Sequence, residues 1–325
     1  MMKIRKEIIV FSVAVIILLF CVSSYVSAGN VPESKDPIKL AINEWTGQHI
    51  TTHVAGSILK KMGYTVEYVT AGMMPQMTAI RDNTITATLE LWSSNMGEHY
   101  AKAVASGQVE ELGDLGLDPV ETWFYSSYAE KKCPGLPDWK ALKDCAEVFA
   151  TAETFPKGRL LDYPADWGTK NIKRIKALGL PFVSAPGGSE GAMVAEIKAA
   201  MARKAPLLVQ FWSPHWLWAE IDLKMVKLPP YEKGCEEDPK VGINPDLTYD
   251  CDWERGYIKK MAWIGMKDKW PAARKLLKIY KLRNEDQIPM MNAIDHEGKK
   301  LEAVVKQWVD ANEAIWKPWV AEAMK

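Results

Sequence analysis

Four tryptophans occur in short motifs spread along the chain: Trp45 in Asn43-Glu44-Trp45-Thr46-Gly47, Trp92 in Glu90-Leu91-Trp92-Ser93-Ser94, Trp167 in Ala165-Asp166-Trp167-Gly168-Thr169, and Trp212 in Gln210-Phe211-Trp212-Ser213-Pro214-His215-Trp216. Each follows or ends a run that reads as a strand. Aromatic side chains at strand ends can converge on one cleft. Walls made of indole faces suit a cation that cannot donate hydrogen bonds, because the ring quadrupole attracts a desolvated quaternary ammonium by about 2 kcal/mol or more. The chain has 14 tryptophans in all, and most of them must pack. Trp308, Trp316 and Trp319 fall on a C-terminal amphipathic pattern and Trp216 and Trp218 crowd Trp212, so core packing is expected of these.

Other chemistry is weakly supported. His49 and His53 are one helical turn apart, but no third ligand accompanies them, and His99 and His296 stand apart; no metal site and no cofactor are expected. A secreted glycosidase would need two positioned carboxylates. Glu190 and Asp166 are available, yet no motif brings them together, so the chain does not read as an enzyme. Glu44, Glu90 and Asp166 lie beside the tryptophans. A carboxylate facing such a box repels an anionic ligand group and favours a purely cationic one. Lys+Arg and Asp+Glu are both 41, and no basic cluster with interleaved aromatics points to nucleic acid.

The elements that must position the tryptophans alternate. Ile38 to Ile42, Thr65 to Val69 and Ile85 to Leu91 read as strands; Gln48 to Met62 and Pro75 to Arg81 read as helices. The pattern restarts at Thr122, with strands over Trp123 to Ser127, Arg159 to Tyr163, Pro181 to Ser184 and Pro206 to Phe211. Helices are expected over Leu136 to Asp144, Gly168 to Leu178 and Gly188 to Arg203. Pro229 to Asp252 reads as a long loop; Tyr257 to Ile264 and helices near Pro271 to Tyr280 and Leu301 to Ala321 follow. This order implies βαβ units and parallel sheets whose ligands sit at strand C-termini. Two such lobes, each carrying two tryptophans, would close a ligand between them.

The first 28 residues read as a signal peptide: Lys3, Arg5 and Lys6, an apolar stretch from Ile8 to Val22, then Val26-Ser27-Ala28, with cleavage expected after Ala28. A retained membrane anchor is the alternative, but the apolar run is shorter than the ~20 residues that span a bilayer. Cys133, Cys145, Cys235 and Cys251 remain after cleavage, an even number that fits an oxidising compartment. Three connectivities are open to four cysteines. The local pairs Cys133–Cys145 and Cys235–Cys251 are expected, each closing a short Pro- and Gly-containing loop.

With these residues in place, the chain resembles the substrate-binding proteins of ABC importers for glycine betaine, proline betaine and choline. The resemblance is carried by Thr78-Ala79-Ile80-Arg81-Asp82-Asn83-Thr84 running into Thr88-Leu89-Glu90-Leu91-Trp92, by Pro164-Ala165-Asp166-Trp167-Gly168, by Phe211-Trp212-Ser213-Pro214-His215-Trp216, and by Gln307-Trp308-Val309-Asp310 through Trp319. It implies an α/β, two-lobe periplasmic binding protein fold with a hinge and an interlobe ligand cleft. The expected organisation is a signal peptide over 1–28, a linker over 29–37, a discontinuous first lobe over 38–118 and 240–325, and a second lobe over 119–239. It also implies an aromatic box of Trp45, Trp92, Trp167 and Trp212, with Trp123 or Tyr125 as further wall residues. Ligand carboxylate contacts are expected from the backbone of Gly168 and Thr169, from His215, or from Gly47, Gln48 and His49 at a helix start. Relatives with a histidine four residues past the first-lobe tryptophan differ from this chain, which has Met96. Choline-selective relatives carry an acidic residue where this chain has Gly47. The implied function is periplasmic capture of a glycine betaine-like quaternary ammonium and delivery to a membrane permease. Choline, carnitine and sulfonium compounds such as dimethylsulfoniopropionate offer the same methylated cation, and a sensory module would use the same cleft.

Overall fold

The computed structural model describes residues 31–325 apart from Thr169 and Tyr257. The expected signal peptide and its cleavage point therefore lie outside the described residues. The first lobe begins with β1 (Ile38–Ile42), α1 (Thr46–Lys61), β2 (Val66–Thr70), α2 (Gln76–Arg81), β3 (Ala87–Leu91), the short helices α3 (Ser93–Met96) and α4 (Glu98–Ala105), and β4 (Val109–Asp114). The chain then crosses to β5 (Val120–Ser126), β6 (Gly158–Asp162), α5 (Lys170–Ala177), β7 (Phe182–Pro186), α6 (Glu190–Ala202), β8 (Leu208–Ser213) and β9 (Leu223–Met225). It returns as β10 (Lys259–Trp263), followed by α7 (Met266–Lys269), α8 (Pro271–Ile279), α9 (Asn284–Asp295), α10 (Leu301–Ala311) and α11 (Glu313–Ala323).

Local chemistry explains the main boundaries. The run Ile38-Lys39-Leu40-Ala41-Ile42 is almost wholly buried, as a central strand covered on both faces must be. Helix α1 carries Lys60 and Lys61 in its last turn, complementing the helix dipole, and stops before Gly63, whose φ of 97° suits glycine. Helix α6 is capped by Ser189, whose side chain accepts the Ala192 N–H. Pro271 opens α8, where its missing N–H costs nothing.

Each lobe holds a five-stranded sheet, in the orders β2-β1-β3-β10-β4 and β7-β6-β8-β5-β9. Four strands of each sheet run in one direction, as expected of parallel sheets, and one runs against them. β10 runs antiparallel to β3 and β4, and β5 antiparallel to β8 and β9. The reason is the crossing. A strand that arrives from the other lobe enters from the cleft side, opposite in direction to strands whose C-termini face the cleft. Trp212 consequently lies within β8 rather than beyond it.

Other differences follow from packing. The expected helix over Leu136 to Asp144 is a 3-10 turn, Trp139–Lys143, in a loop tied by a disulfide. The expected helix over Leu301 to Ala321 breaks at Asn312 into α10 and α11. Helix α9 had no sequence signal strong enough to define it, with Pro289 inside it and a mixed surface. The structure joins Cys133 to Cys145 and Cys235 to Cys251. The second bond closes the long loop on itself, and hydrogen bonds keep the loop with the second lobe: Thr122 donates to Asp252, Asn244 to the Ala177 carbonyl, and Arg174 to the Cys251 carbonyl. On these contacts the return to the first lobe falls near Ile258, later than residue 240.

One apolar core runs through the first lobe and across the facing surface of the second; it contains Trp45, Trp92, Trp167 and Trp212. A separate core fills the far side of the second lobe around Trp123, Tyr125 and Trp139.

Candidate ligand-binding site

The four motif tryptophans meet between the lobes. Trp45 follows β1, Trp92 follows β3, Trp167 ends the turn after β6, and Trp212 stands near the end of β8. Trp45 and Trp167, from opposite lobes, have ring centroids 5.2 Å apart at 68°. Trp167 and Trp212 are 5.7 Å apart at 70°, and Tyr163 stands edge-on to both at 5.6 Å. Near-perpendicular rings make the corner of a box rather than a stack, so faces as well as edges are left for a ligand. The cavity they enclose has a volume of about 20 Å³ and is lined by Trp45, Met73, Trp92, Asn95, Glu121, Tyr163, Trp167 and Trp212. That is far below the ~300–1,000 Å³ of ordinary small-molecule sites, so the cage as it stands suits only a compact ligand.

Polar groups are few and specific. Glu121 is buried, accepts the Tyr163 hydroxyl at 3.1 Å and is hydrogen-bonded by the Asn95 amide. Burial and the Glu121 charge push the Tyr163 hydroxyl well above its ordinary range, so it stays protonated and donates. Glu90 lies behind the cage. It accepts the indole N–H of Trp45 at 2.7 Å and of Trp92 at 3.2 Å, and so fixes two walls from one carboxylate. Burial raises the Glu90 pKa, and the hydrogen bonds from Trp45, Thr51, Trp92 and Gln287 oppose that rise. The Trp218 indole N–H holds the Trp212 carbonyl at 2.9 Å, which pins the end of β8.

The other expected contacts are placed elsewhere. Trp123 donates to Asn171 and Tyr125 to Glu130, both in the far core of the second lobe. The register explains this: Glu121 pairs with Trp212, whereas Trp123 pairs with Gln210 and Tyr125 with Leu208. The cleft end of β5 is thus Glu121, and the two aromatics lie progressively deeper. His215 is buried, accepting the Leu217 N–H on Nδ1 and meeting Glu190 through Nε2 at 3.1 Å, and it does not line the cavity. Gln48 bonds the Asn43 N–H and the Ala41 carbonyl, His49 bonds the Asn43 carbonyl, and the Gly47 carbonyl accepts from Gln287; all three serve the fold around α1. Gly168 has φ of 132°, and a Cβ there would come 3.4 Å from the Asn95 carbonyl across the lobes. Thr169 lies outside the described residues. Glu44 and Asp166 are exposed, and neither lines the cavity.

Met73, Asn95, Glu121 and Tyr163 were missed from sequence. Tyr163 had a readable signal, since it directly precedes the Pro164 that opens the Trp167 motif. Glu121 had none, because only the strand pairing shows that it faces Trp212.

The family model for the substrate-binding domain of ABC-type glycine betaine transport systems matches residues 36–311. The chain belongs to that family. Its role is that of the substrate-binding component of an ABC importer, and its macromolecular partner is the importer's membrane permease. Family members are extracytoplasmic, and two disulfides fit an oxidising compartment. Among relatives, the trimethylamine N-oxide-binding protein of Pelagibacter ubique is 30% identical over 310 residues, 93% of this chain and 96% of that one. Among solved structures, an ABC-transporter choline binding protein in complex with choline superposes with TM-score 0.70 at 19% identity, covering 90% of this chain and 93% of that one. Lactococcal OpuAC, in its closed-liganded conformation with glycine betaine, gives TM-score 0.67 at 18% identity, covering 89% and 100%. Both share the two-lobe fold.

Proposed function

We propose that the cavity captures a compact trimethylated ligand carrying one oxygen, trimethylamine N-oxide first, for delivery to the permease. The observation that carries this reading is Glu121 inside the aromatic box. Among the described lining side chains none is Lys, Arg or His, so the carboxylate of glycine betaine would face the Glu121 carboxylate. The sequence alone favoured a glycine betaine-like ligand; the acidic wall argues for a ligand without a carboxylate. An N-oxide oxygen can share one proton with Glu121 in a charge-assisted hydrogen bond. The small cavity and the similarity to the Pelagibacter ubique protein along nearly its whole length support the same choice. Choline is the second reading, because its hydroxyl can donate to Glu121 directly. The cage is formed by Trp45, Trp92, Trp167 and Trp212, with Tyr163 and Asn95 holding Glu121. The protein works in the periplasm, after removal of the segment ending at Ala28.

Calorimetric titration tests this on protein refolded to remove carried-over ligand. Trimethylamine N-oxide should bind at one site per chain, with an enthalpy that depends on the buffer because a proton is taken up. Tighter binding of choline, with no buffer dependence, would select the second reading. Tighter binding of glycine betaine than of either would overturn the role given to Glu121.

A further inference from the structure

Glu90 is 1% exposed, and all its hydrogen-bond partners are neutral. Oε1 accepts the Trp45 and Trp92 indole N–H groups; Oε2 accepts the Thr51 hydroxyl at 2.7 Å and the Gln287 amide at 2.8 Å. Gln287 Nε2 also donates to the Gly47 carbonyl at 3.1 Å. That oxygen can only accept, so the amide orientation is fixed and an N–H faces Glu90. An indole N–H cannot accept a proton. Two indole N–H groups, an amide N–H and one hydroxyl on two oxygens suit an ionised carboxylate; only the Thr51 hydroxyl, which also accepts from Gln287 at 3.1 Å, could accept a proton from it. A buried anion without a cationic partner is costly, and hydrogen bonds alone leave its charge uncompensated.

The two indoles separate this charge from the cavity. Glu90 does not line the cavity, but both tryptophans it holds do. An indole whose N–H donates to an anion gains π-electron density, so its face becomes a better cation site. We propose that ionised Glu90 is a second countercharge of the cage besides Glu121, acting through Trp45 and Trp92 to raise the preference for a cationic ligand over a neutral one of equal shape. The proposal rests on the reading that the cavity takes a methylated cation. Glu90 is then a positioning and specificity residue that never touches the ligand.

The test compares tetramethylammonium with neutral tert-butanol on the full mature protein, each affinity taken from tryptophan fluorescence. Glu121 lines the cavity and acts on both probes, but it is the same in wild type and variants, so a change in the affinity ratio between proteins reports Glu90. Glu90→Gln removes the charge and keeps the volume. Gln287→Lys supplies a cation beside Glu90 and serves if the first variant does not fold. Either variant should lower the cation preference by about tenfold, the scale expected for one unit charge acting over several ångströms at a protein-like dielectric. Binding of tert-butanol reports any displacement of the walls that Glu90 holds, so the ratio of the two affinities, and not either one alone, carries the result. A parallel loss of both ligands would mean that Glu90 only props the walls, and an unchanged preference would mean that its charge is not felt; either overturns the proposal. A wild-type protein that binds no methylated cation overturns the functional reading itself, before any variant is compared.

Discussion

An indole wall binds a cation only if its face is held toward the cavity, and three different devices do the holding here. Trp45 and Trp92 are anchored through Glu90, Trp212 through its backbone carbonyl, and Trp167 by edge contacts with Trp45, Tyr163 and Trp212. Trp92→Ala, Trp167→Ala and Trp212→Ala should each weaken binding at least roughly tenfold, about 1.4 kcal/mol, as read by calorimetry; near-unchanged affinity in all three would end the cage reading. Glu121→Gln should act differently. The amide removes the negative wall, so affinity for glycine betaine should rise relative to choline, and competition between the two ligands measures the ratio. A fall in that ratio would show that Glu121 does not exclude carboxylates. The tryptophans were legible because a short motif at a strand end is a local property of the sequence. Glu121 was not, because its position depends on a pairing between β5 and β8 that lie far apart in the chain.

At the scale of elements, sequence periodicity located the strands and helices that build each βαβ unit but not the strands that swap between lobes. β5 and β10 read like any other apolar run; only their partners reveal that they run antiparallel. Helix α9 was lost to its internal Pro289, although it supplies Gln287 to Glu90 and Asp295 to the lobe interface. β10 also carries a buried lysine. Lys260 donates to the Lys278 and Tyr280 carbonyls at the end of α8, and burial, then Lys281, lowers its pKa to about 7. In the unfolded chain an ordinary lysine stays protonated to far higher pH. Between about 7 and its unfolded value of ~10.4 the unfolded state therefore binds the extra proton, so this group adds stability as pH rises through that window and loses it below. Denaturant unfolding at pH 7 and pH 9.5 should show wild type gaining on Lys260→Met with rising pH. A constant difference between the two would place the Lys260 pKa near its ordinary value.

For the whole molecule, affinity is the sum of what the cage offers and what closing the lobes costs. The cage draws Trp45, Met73, Trp92 and Asn95 from the first lobe and Tyr163, Trp167 and Trp212 from the second, so it exists only when the lobes meet. Away from the cavity the lobes are joined by a second set of bonds. Glu190 accepts the Thr46 N–H at 2.9 Å at the start of α1. Asp295 accepts the Trp216 indole N–H at 3.0 Å and the Thr46 hydroxyl at 2.7 Å. Burial, then the Glu190 charge, raises the Asp295 pKa, so this carboxylate depends on its donors. Trp216→Phe keeps an aromatic ring and removes one of them. A hydrogen bond to a charged acceptor, or the penalty of leaving it unmade, is worth about 1–3 kcal/mol. Because this bond crosses between the lobes away from the cavity, its loss is expected to fall on the open–closed equilibrium and to be passed to every ligand alike. Trp216→Phe should weaken tetramethylammonium and trimethylamine N-oxide by the same factor, about fivefold or more, mostly through faster dissociation. Solution scattering should show the ligand-free variant more open than wild type. A change in selectivity, with no change in opening, would place Trp216 in the cage instead of the latch.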